Sequence, residues 1–351
     1  KDAPDEDIAE IIASAVEERA NELRQNFSLD TLNGVDKFYV NEEIDSPDFV
    51  IVRGKAVRQP LTLHVAPQNT ILTTSEPYSV LSYPKRYCRQ FGLVCSCQKE
   101  LKHHNIRYTP AILPWFTAAT FDHGNGTATL TYDELKAMPT PEKPKLMSVI
   151  TSNKAFTQGH QERIDFVEKL KKHYGDRLDV YGRGFHDFED KWEALAEYKY
   201  HIVIENSQSD YYWTEKLSDC YLSETFPIYY GCTNVDEYFS KDAYAVIDIH
   251  DFDRSIAAID AIINSEKHYA EHSAALKEAK RQVLDDYNLF NYLAAILDTM
   301  NPDLPKQNVT LKPAKTMADW HNFYLNVIGR NMFKMKNALR GIVKGKSVLK
   351  K

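Results

Sequence analysis

The feature that most constrains this chain is a regular alternation of short apolar runs and amphipathic segments between residues 146 and 265. LMSVITSN (146–153) reads as a strand, and HQERIDFVEKLKKHYG (160–175) as a helix with Gly175 placed for its C-terminal stop. LDVYGRG (178–184), KYHIVIENS (199–207), FPIYYG (226–231) and YAVIDIH (244–250) read as further strands. WEALAEY, TEKLSDCYLSE (214–224) and DRSIAAIDAIINS (253–265) read as helices between and after them, with a helical pattern continuing to about 298. Strands and helices alternating at this length imply α/β architecture with a parallel sheet covered on both faces, a Rossmann-like layout. Ligands of such sheets bind beyond the carboxyl ends of the strands. The loops at 182–187 and 205–213 hold most of the polar residues that fit that role.

Upstream, DFVIVRG (48–54), LTLHVA (61–66), NTILTTSEP (69–77), FGLVCSC (91–97) and NIRYTPAILPWF (105–116) read as strands of another sheet. Residues 5–25 have the spacing of an amphipathic helix, and LKAMPTPEKPKL (135–146) has the composition of a linker. The expected division is therefore 1–138, then 146–300, then a helical arm with a basic tail over 301–351. A length of 351 residues suits two domains. No run approaches the ~20 apolar residues of a membrane-spanning helix. With 50 Asp+Glu against 43 Lys+Arg, the chain lacks the basic excess of a nucleic-acid binder. Five cysteines form no disulfide framework, so a reducing, cytoplasmic compartment is expected. Cys95-Ser96-Cys97 has no second pair to complete a zinc site and reads as buried strand.

Several motifs are absent: G-x-G-x-x-G, G-x-x-x-x-G-K-[ST] and G-x-S-x-G. Asp251-Phe252-Asp253 matches a metal-binding D-x-D, but it directly precedes a helical pattern, where Asp serves as a cap. The informative stretch is KYHIVIENSQSDYYWTEKLSDCYLSETFPIYYG (199–231). A strand ends in Glu205-Asn206-Ser207, and Thr214 opens a helix with Glu215 and Lys216 in its first turn. Free backbone N–H groups there favour an anion, Lys216 suits a phosphate, and Glu215 suits a diol such as a ribose. On these residues alone, a capped helix with Glu and Lys in water fits equally well.

The order E-N-S, then D-Y-x-T-E-K-L, a helix and P-I-Y-Y-G resembles the donor-binding segment of the family 10 glycosyltransferases, the α-1,3/4-fucosyltransferases. The similarity runs on through Glu237-Tyr238-Phe239 to Asp248-Ile249-His250-Asp251-Phe252. TSNKAFTQGHQERIDFVEKL resembles the family's strand, turn and Arg-bearing helix, which places Arg163 on its phosphate-binding Arg, and LDVYGRG resembles the next strand and glycine turn. TILTTSEPY (70–78) looks like the family's strand ending in Glu and Pro, although the first half matches only loosely. The usual F-E-N-S is Ile204-Glu205-Asn206-Ser207 here.

The resemblance implies a GT-B fold, two Rossmann-like domains facing a central cleft, and inverting transfer of L-fucose from GDP-β-L-fucose. The acceptor loops do not match closely enough to carry specificity over; the expected acceptor is a hydroxyl of a surface glycan, such as O3 of GlcNAc or Glc in lipopolysaccharide O-antigen or a capsule. Arg163, Lys216 and the first turn of the 214–224 helix would hold the diphosphate without a required metal or cofactor, and Glu215 the ribose. Glu205, Asn206, Ser207, Tyr212 and Thr214 complete the expected donor loop, with Arg183 as a reserve phosphate ligand. Glu76, at the end of a first-domain strand, is the expected general base. Trp115 and Trp213 are the aromatic residues expected at the cleft. Two other readings stay open: the same fold with another nucleotide sugar, or a silent glycan-binding protein.

The charge is uneven. Residues 330–351 carry eight Lys/Arg and no acid, so the body is more acidic than the total of −7 suggests. Basic residues interspersed with Met, Phe, Leu, Ile and Val suit an anionic membrane surface, which would make the protein peripheral on the inner face of the cytoplasmic membrane.

Overall fold

Both main sheets are parallel throughout, as buried apolar strands joined by long crossovers require. This computed structural model describes residues 38–40, 44–122, 125–151 and 158–317. The first sheet runs β1 (Val50–Arg53), β3 (Thr70–Thr73), β4 (Leu93–Ser96), β5 (Ile106–Tyr108). The second runs β12 (Ala245–Val246), β11 (Phe226–Tyr230), β10 (Tyr198–Ile204), β8 (Lys145–Ile150), β9 (Leu178–Tyr181). The longer helices are α1 (Gln158–Tyr174), α2 (Glu215–Leu222), α3 (Phe252–Ile263), α4 (Ser273–Arg281) and α5 (Leu289–Leu297). The chain is thus two parallel α/β units, the expected fold class. The helix expected at 5–25 and the tail at 330–351 lie outside the described residues. Among the described residues, no helix is long and apolar enough to cross a membrane.

Central strand β10 buries every residue but Lys199, because helices cover both faces of its sheet. Met147 and Val149 of β8, Phe166 and Leu170 of α1, Leu217 of α2 and Ile228 of β11 share one core. In the first sheet, alternation splits the strands: Leu72 and Val94 enter one cluster, and Ile71, Leu93 and Cys95 the opposite one. That second cluster is completed by Leu289, Phe290, Leu293 and Ile296 of α5. At about 1.5–3 kcal/mol for each fully buried side chain of this size, α5 is anchored to the first unit, although it follows the second in sequence.

The chain then stays there. Gln307–Leu311 forms β13, antiparallel to β2 (Leu61–Val65), inside the segment that the sequence reads as a helical arm. Strand β2 therefore belongs to a separate two-stranded ladder and not to the main sheet. The expected linker is also shorter: Tyr132–Ala137 is helical, closed by a capping box of Thr131 and Glu134, and β8 already begins at Lys145. Ala119–Asp122 (β6) and Asn125–Ala128 (β7) form a hairpin that the apolar pattern does not announce. The strand expected over 244–250 stops at Val246, because Ser255 exchanges hydrogen bonds with the backbone of Asp248 and the Asp248 side chain turns back to His250 N–H. Asp251 caps α3, accepting from Arg254 N–H, so the D-x-D pattern is a helix start.

His201 sits within β10, 4% exposed, with Nδ1 2.7 Å from Ser148 Oγ. Ser148 donates its proton to Ala194 O, so Nδ1 carries the ring proton and donates. Burial, helped by the charge of Lys191, pushes its pKa down to about 3. The unfolded chain takes up this proton near pH 6.5 and the folded protein only near 3. The stabilisation is therefore complete above pH 6.5 and lost progressively down to 3. Denaturant unfolding is expected to lose about 2 kcal/mol from this site between pH 7 and 5. His201→Asn, which keeps an N–H donor, should flatten that slope; an unchanged slope would assign the acid sensitivity elsewhere.

Candidate active site

The carboxyl ends of β8 and β10 bring two helix starts together. Gly159, in the first turn of α1, lies against the loop after β10: a Cβ there would be 2.4 Å from Asn206 O. Glycine is needed for this approach. One turn later Arg163, 7% exposed, donates from Nη1 to Asn206 Oδ1 at 2.8 Å. Its Nε is buried with no hydrogen-bond partner among the described residues. Burial lowers the guanidinium pKa while the Glu205 charge opposes this, and an arginine stays charged in either case. A buried cation with an unused donor is suited to an anion.

Glu205 directly follows β10 and is 1% exposed. Its carboxylate accepts from Thr214 N–H and Thr214 Oγ1 at 2.9 Å and from Lys216 Nζ at 3.0 Å. Thr214 in turn caps α2 by accepting from Lys216 N–H at 3.3 Å. Gly231 makes room, since a Cβ there would lie 2.5 Å from Glu205 Cγ. Glu205, expected to touch the donor, instead clamps the start of α2 to the end of the sheet. Burial raises its carboxyl, with Lys216 opposing.

Burial also acts to lower Lys216, but Glu205 and Glu215 outweigh it and hold the ammonium above its usual range. Glu215 is likewise pushed up by burial and pulled down further by Lys216 and Lys191, ending at about 2. Glu215 Oε1 lies 3.4 Å from Lys216 Nζ and 3.8 Å from Lys191 Nζ. The helix start thus presents a firmly charged carboxylate and ammonium, not a solvated pair. Sequence reasoning missed Lys191 and Asp219, which bond at 2.7 Å behind that first turn. Asp219 follows Glu215 at i, i+4, a spacing that places both on one helix face.

The first unit reaches the same place. The Glu76 backbone carbonyl accepts from Gln98 Nε2 at 2.7 Å and from Cys97 Sγ at 3.7 Å, which fixes the loop after β3. Ser79 Oγ in that loop is 3.5 Å from Ser207 Oγ. Tyr212 is buried with Cys97 and Ala111, so it is a packing residue between the units. Burial, then the charges of Glu76 and Glu205, push its hydroxyl up. Lys99 pairs with Asp210 at 2.5 Å, and Tyr108 stacks on Tyr211 with ring centroids 5.5 Å apart.

Two expectations need correction. Trp115 (7% exposed) and Trp213 (5%) are core residues; Trp213 packs edge-on against Tyr238, Phe239 and Tyr287. Large rings at a sheet's end fill volume before they line a surface. Arg183 is exposed on its turn and is brought to none of these residues by a described contact.

Paired parallel α/β units whose strand ends gather an arginine, a lysine and a carboxylate at two helix starts form a layout suited to an anionic ligand. Residues 140–289 match "Glycosyltransferase family 10 (fucosyltransferase) C-term". The segment includes Arg163, Asn206, Ser207, Glu215 and Lys216. The chain is 34% identical over 100 residues to the α-(1,3)-fucosyltransferase FucT of Helicobacter pylori. That match covers 28% of this chain and spans only 20% of the relative's length. Among solved structures, an α1,3-fucosyltransferase with GDP aligns over 84% of this chain and 88% of its own, at 18% identity and a TM-score of 0.46. One with GDP-fucose aligns over 84% and 98%, at 16% identity and a TM-score of 0.44.

Proposed function

We propose that the protein is an inverting fucosyltransferase that moves L-fucose from GDP-β-L-fucose to a glycan hydroxyl. The observation that carries this reading is the coincidence of the family-matched segment with the Arg163–Glu215–Lys216 cluster. In the reaction, the bond between the sugar's anomeric carbon and the diphosphate oxygen breaks, and GDP leaves with the electron pair. Arg163, Lys216 and the N–H groups opening α2 stabilise the growing phosphate charge. Glu215 accepts hydrogen bonds from the ribose hydroxyls. The acceptor oxygen attacks from the opposite face and passes its proton to Glu76. Asn206 and Ser207, between Arg163 and the Glu76 loop, contact the sugar or the phosphates in this reading. An O3 position on GlcNAc or Glc, as in a lipopolysaccharide O-antigen, is the acceptor we favour, with the 330–351 tail holding the enzyme on an anionic membrane surface.

Calorimetric titration with GDP, UDP and CMP, followed by assay of the matching sugar nucleotides, tests the donor. GDP should bind best, and GDP-fucose should be the donor that is consumed. A preference for UDP, or no nucleotide binding, would sink the reading. Chain shortened at 329 should keep activity on soluble acceptors and lose co-sedimentation with anionic vesicles.

A further inference from the structure

Lys191 has no place in the proposed reaction, yet its side chain is 17% exposed and paired with two carboxylates. It opens the short 3-10 turn Lys191–Ala194, whose backbone is set by a capping box between Asp190 and Glu193. Asp190 also accepts from Thr129 Oγ1 at 2.6 Å and bridges to Thr120, which stitches this turn to the β6–β7 hairpin. The Lys191 side chain, 17% exposed, extends to Asp219 Oδ2 at 2.7 Å and to Glu215 Oε1 at 3.8 Å. Its ammonium lies 5.0 Å above the Phe116 ring. Asp219 is itself anchored by a different route: its Oδ1 accepts from Phe116 N–H at 2.7 Å and Thr117 N–H at 3.0 Å.

We propose that Lys191 is a positioning residue: held by Asp219, it orients the Glu215 carboxylate toward the vicinal hydroxyls of the nucleotide's ribose. The proposal rests on the reading that Glu215 receives the ribose. Two ammonium groups approach the same Glu215 oxygen from two elements, Lys216 from α2 and Lys191 from the 3-10 turn. A carboxylate pinned in this way accepts from a diol with little loss of side-chain freedom. Lys191 is better placed for this than for the phosphates, because its shortest contact is with Asp219, which is buried behind the first turn of α2. The Asp219 bonds to Phe116 and Thr117 also tie the carboxylate to the segment that leaves the first unit.

The test compares binding of GDP and 2′,3′-dideoxy-GDP to the full chain by calorimetry. Wild type should prefer GDP by about tenfold, the worth of a charge-assisted hydrogen bond. Lys191→Gln should bind GDP about tenfold more weakly, leave the dideoxy nucleotide unchanged, and so lose the preference. Lys191→Arg should restore it. Because Lys191→Gln strands a buried Asp219, the double variant Lys191→Gln/Asp219→Asn, which removes both charges and keeps an acceptor for the Phe116 and Thr117 N–H groups, should give the same pattern in a stably folded chain. Equal weakening toward both nucleotides, or a preference that survives in the variants, would overturn the proposal alone. No preference in the wild type would remove the ribose reading of Glu215, and the proposal with it.

Discussion

Lys216→Ala is expected to lower both stability and nucleotide affinity, and the two losses should separate in a double variant. Glu205 is 1% exposed, and Lys216 is the cation bonded to it, at 3.0 Å. Removing one partner of a buried pair leaves an uncompensated charge, at a cost of about 3 kcal/mol or more. Thermal unfolding of Lys216→Ala should therefore fall by several degrees. Lys216→Met/Glu205→Gln removes both charges, keeps an amide oxygen for the Thr214 donors, and should recover most of that loss. Affinity for GDP should not recover, because the phosphates still lack their ammonium, and a deficit of about ten- to hundredfold should remain. If the double variant binds GDP as wild type does, Lys216 serves only the fold, and the phosphates rest on Arg163 and the helix start.

How much of this was legible in the sequence follows from what each residue interacts with. The strands of the second sheet are buried on both faces, so their apolar runs mark them without reference to distant partners; β10 is the clearest case. Strand β13 is nearly polar and mostly exposed and exists through its pairing with β2, about 240 residues earlier, which no local pattern reports. The same distinction holds in the site. Thr214, Glu215 and Lys216 are readable because a cap and a first helical turn are local structures. The role of Glu205 depends on a helix start nine residues on and on Gly231 leaving space, so its chemistry alone suggests a ligand contact where the fold uses a clamp. The Asp190–Glu193 capping box around Lys191 marks a helical start, but only the tertiary fold places the lysine against α2. Trp213 shows the converse: in sequence it lies in a polar loop, but the loop folds inward onto Tyr238, Phe239 and Tyr287.

Glu76→Gln should spare GDP binding and reduce transfer by about 10²- to 10⁴-fold, the usual contribution of a positioned general base. The amide keeps the size of the carboxyl and one acceptor oxygen but cannot take the acceptor's proton. Gln98 and Cys97 hold the loop through the Glu76 backbone carbonyl, which the substitution leaves in place. The Glu76 carboxylate lies on the first unit, while Arg163, Glu215 and Lys216 lie on the second. Ser79 beside Ser207 brings the loop that carries Glu76 to the loop after β10. A base on one unit and a phosphate clamp on the other can be disabled separately, so unaltered nucleotide binding with lost transfer is the signature of this division. Single-turnover transfer measured beside GDP titration decides it: near-normal turnover in Glu76→Gln would move the base to another residue, and weakened GDP binding would make Glu76 part of the donor site.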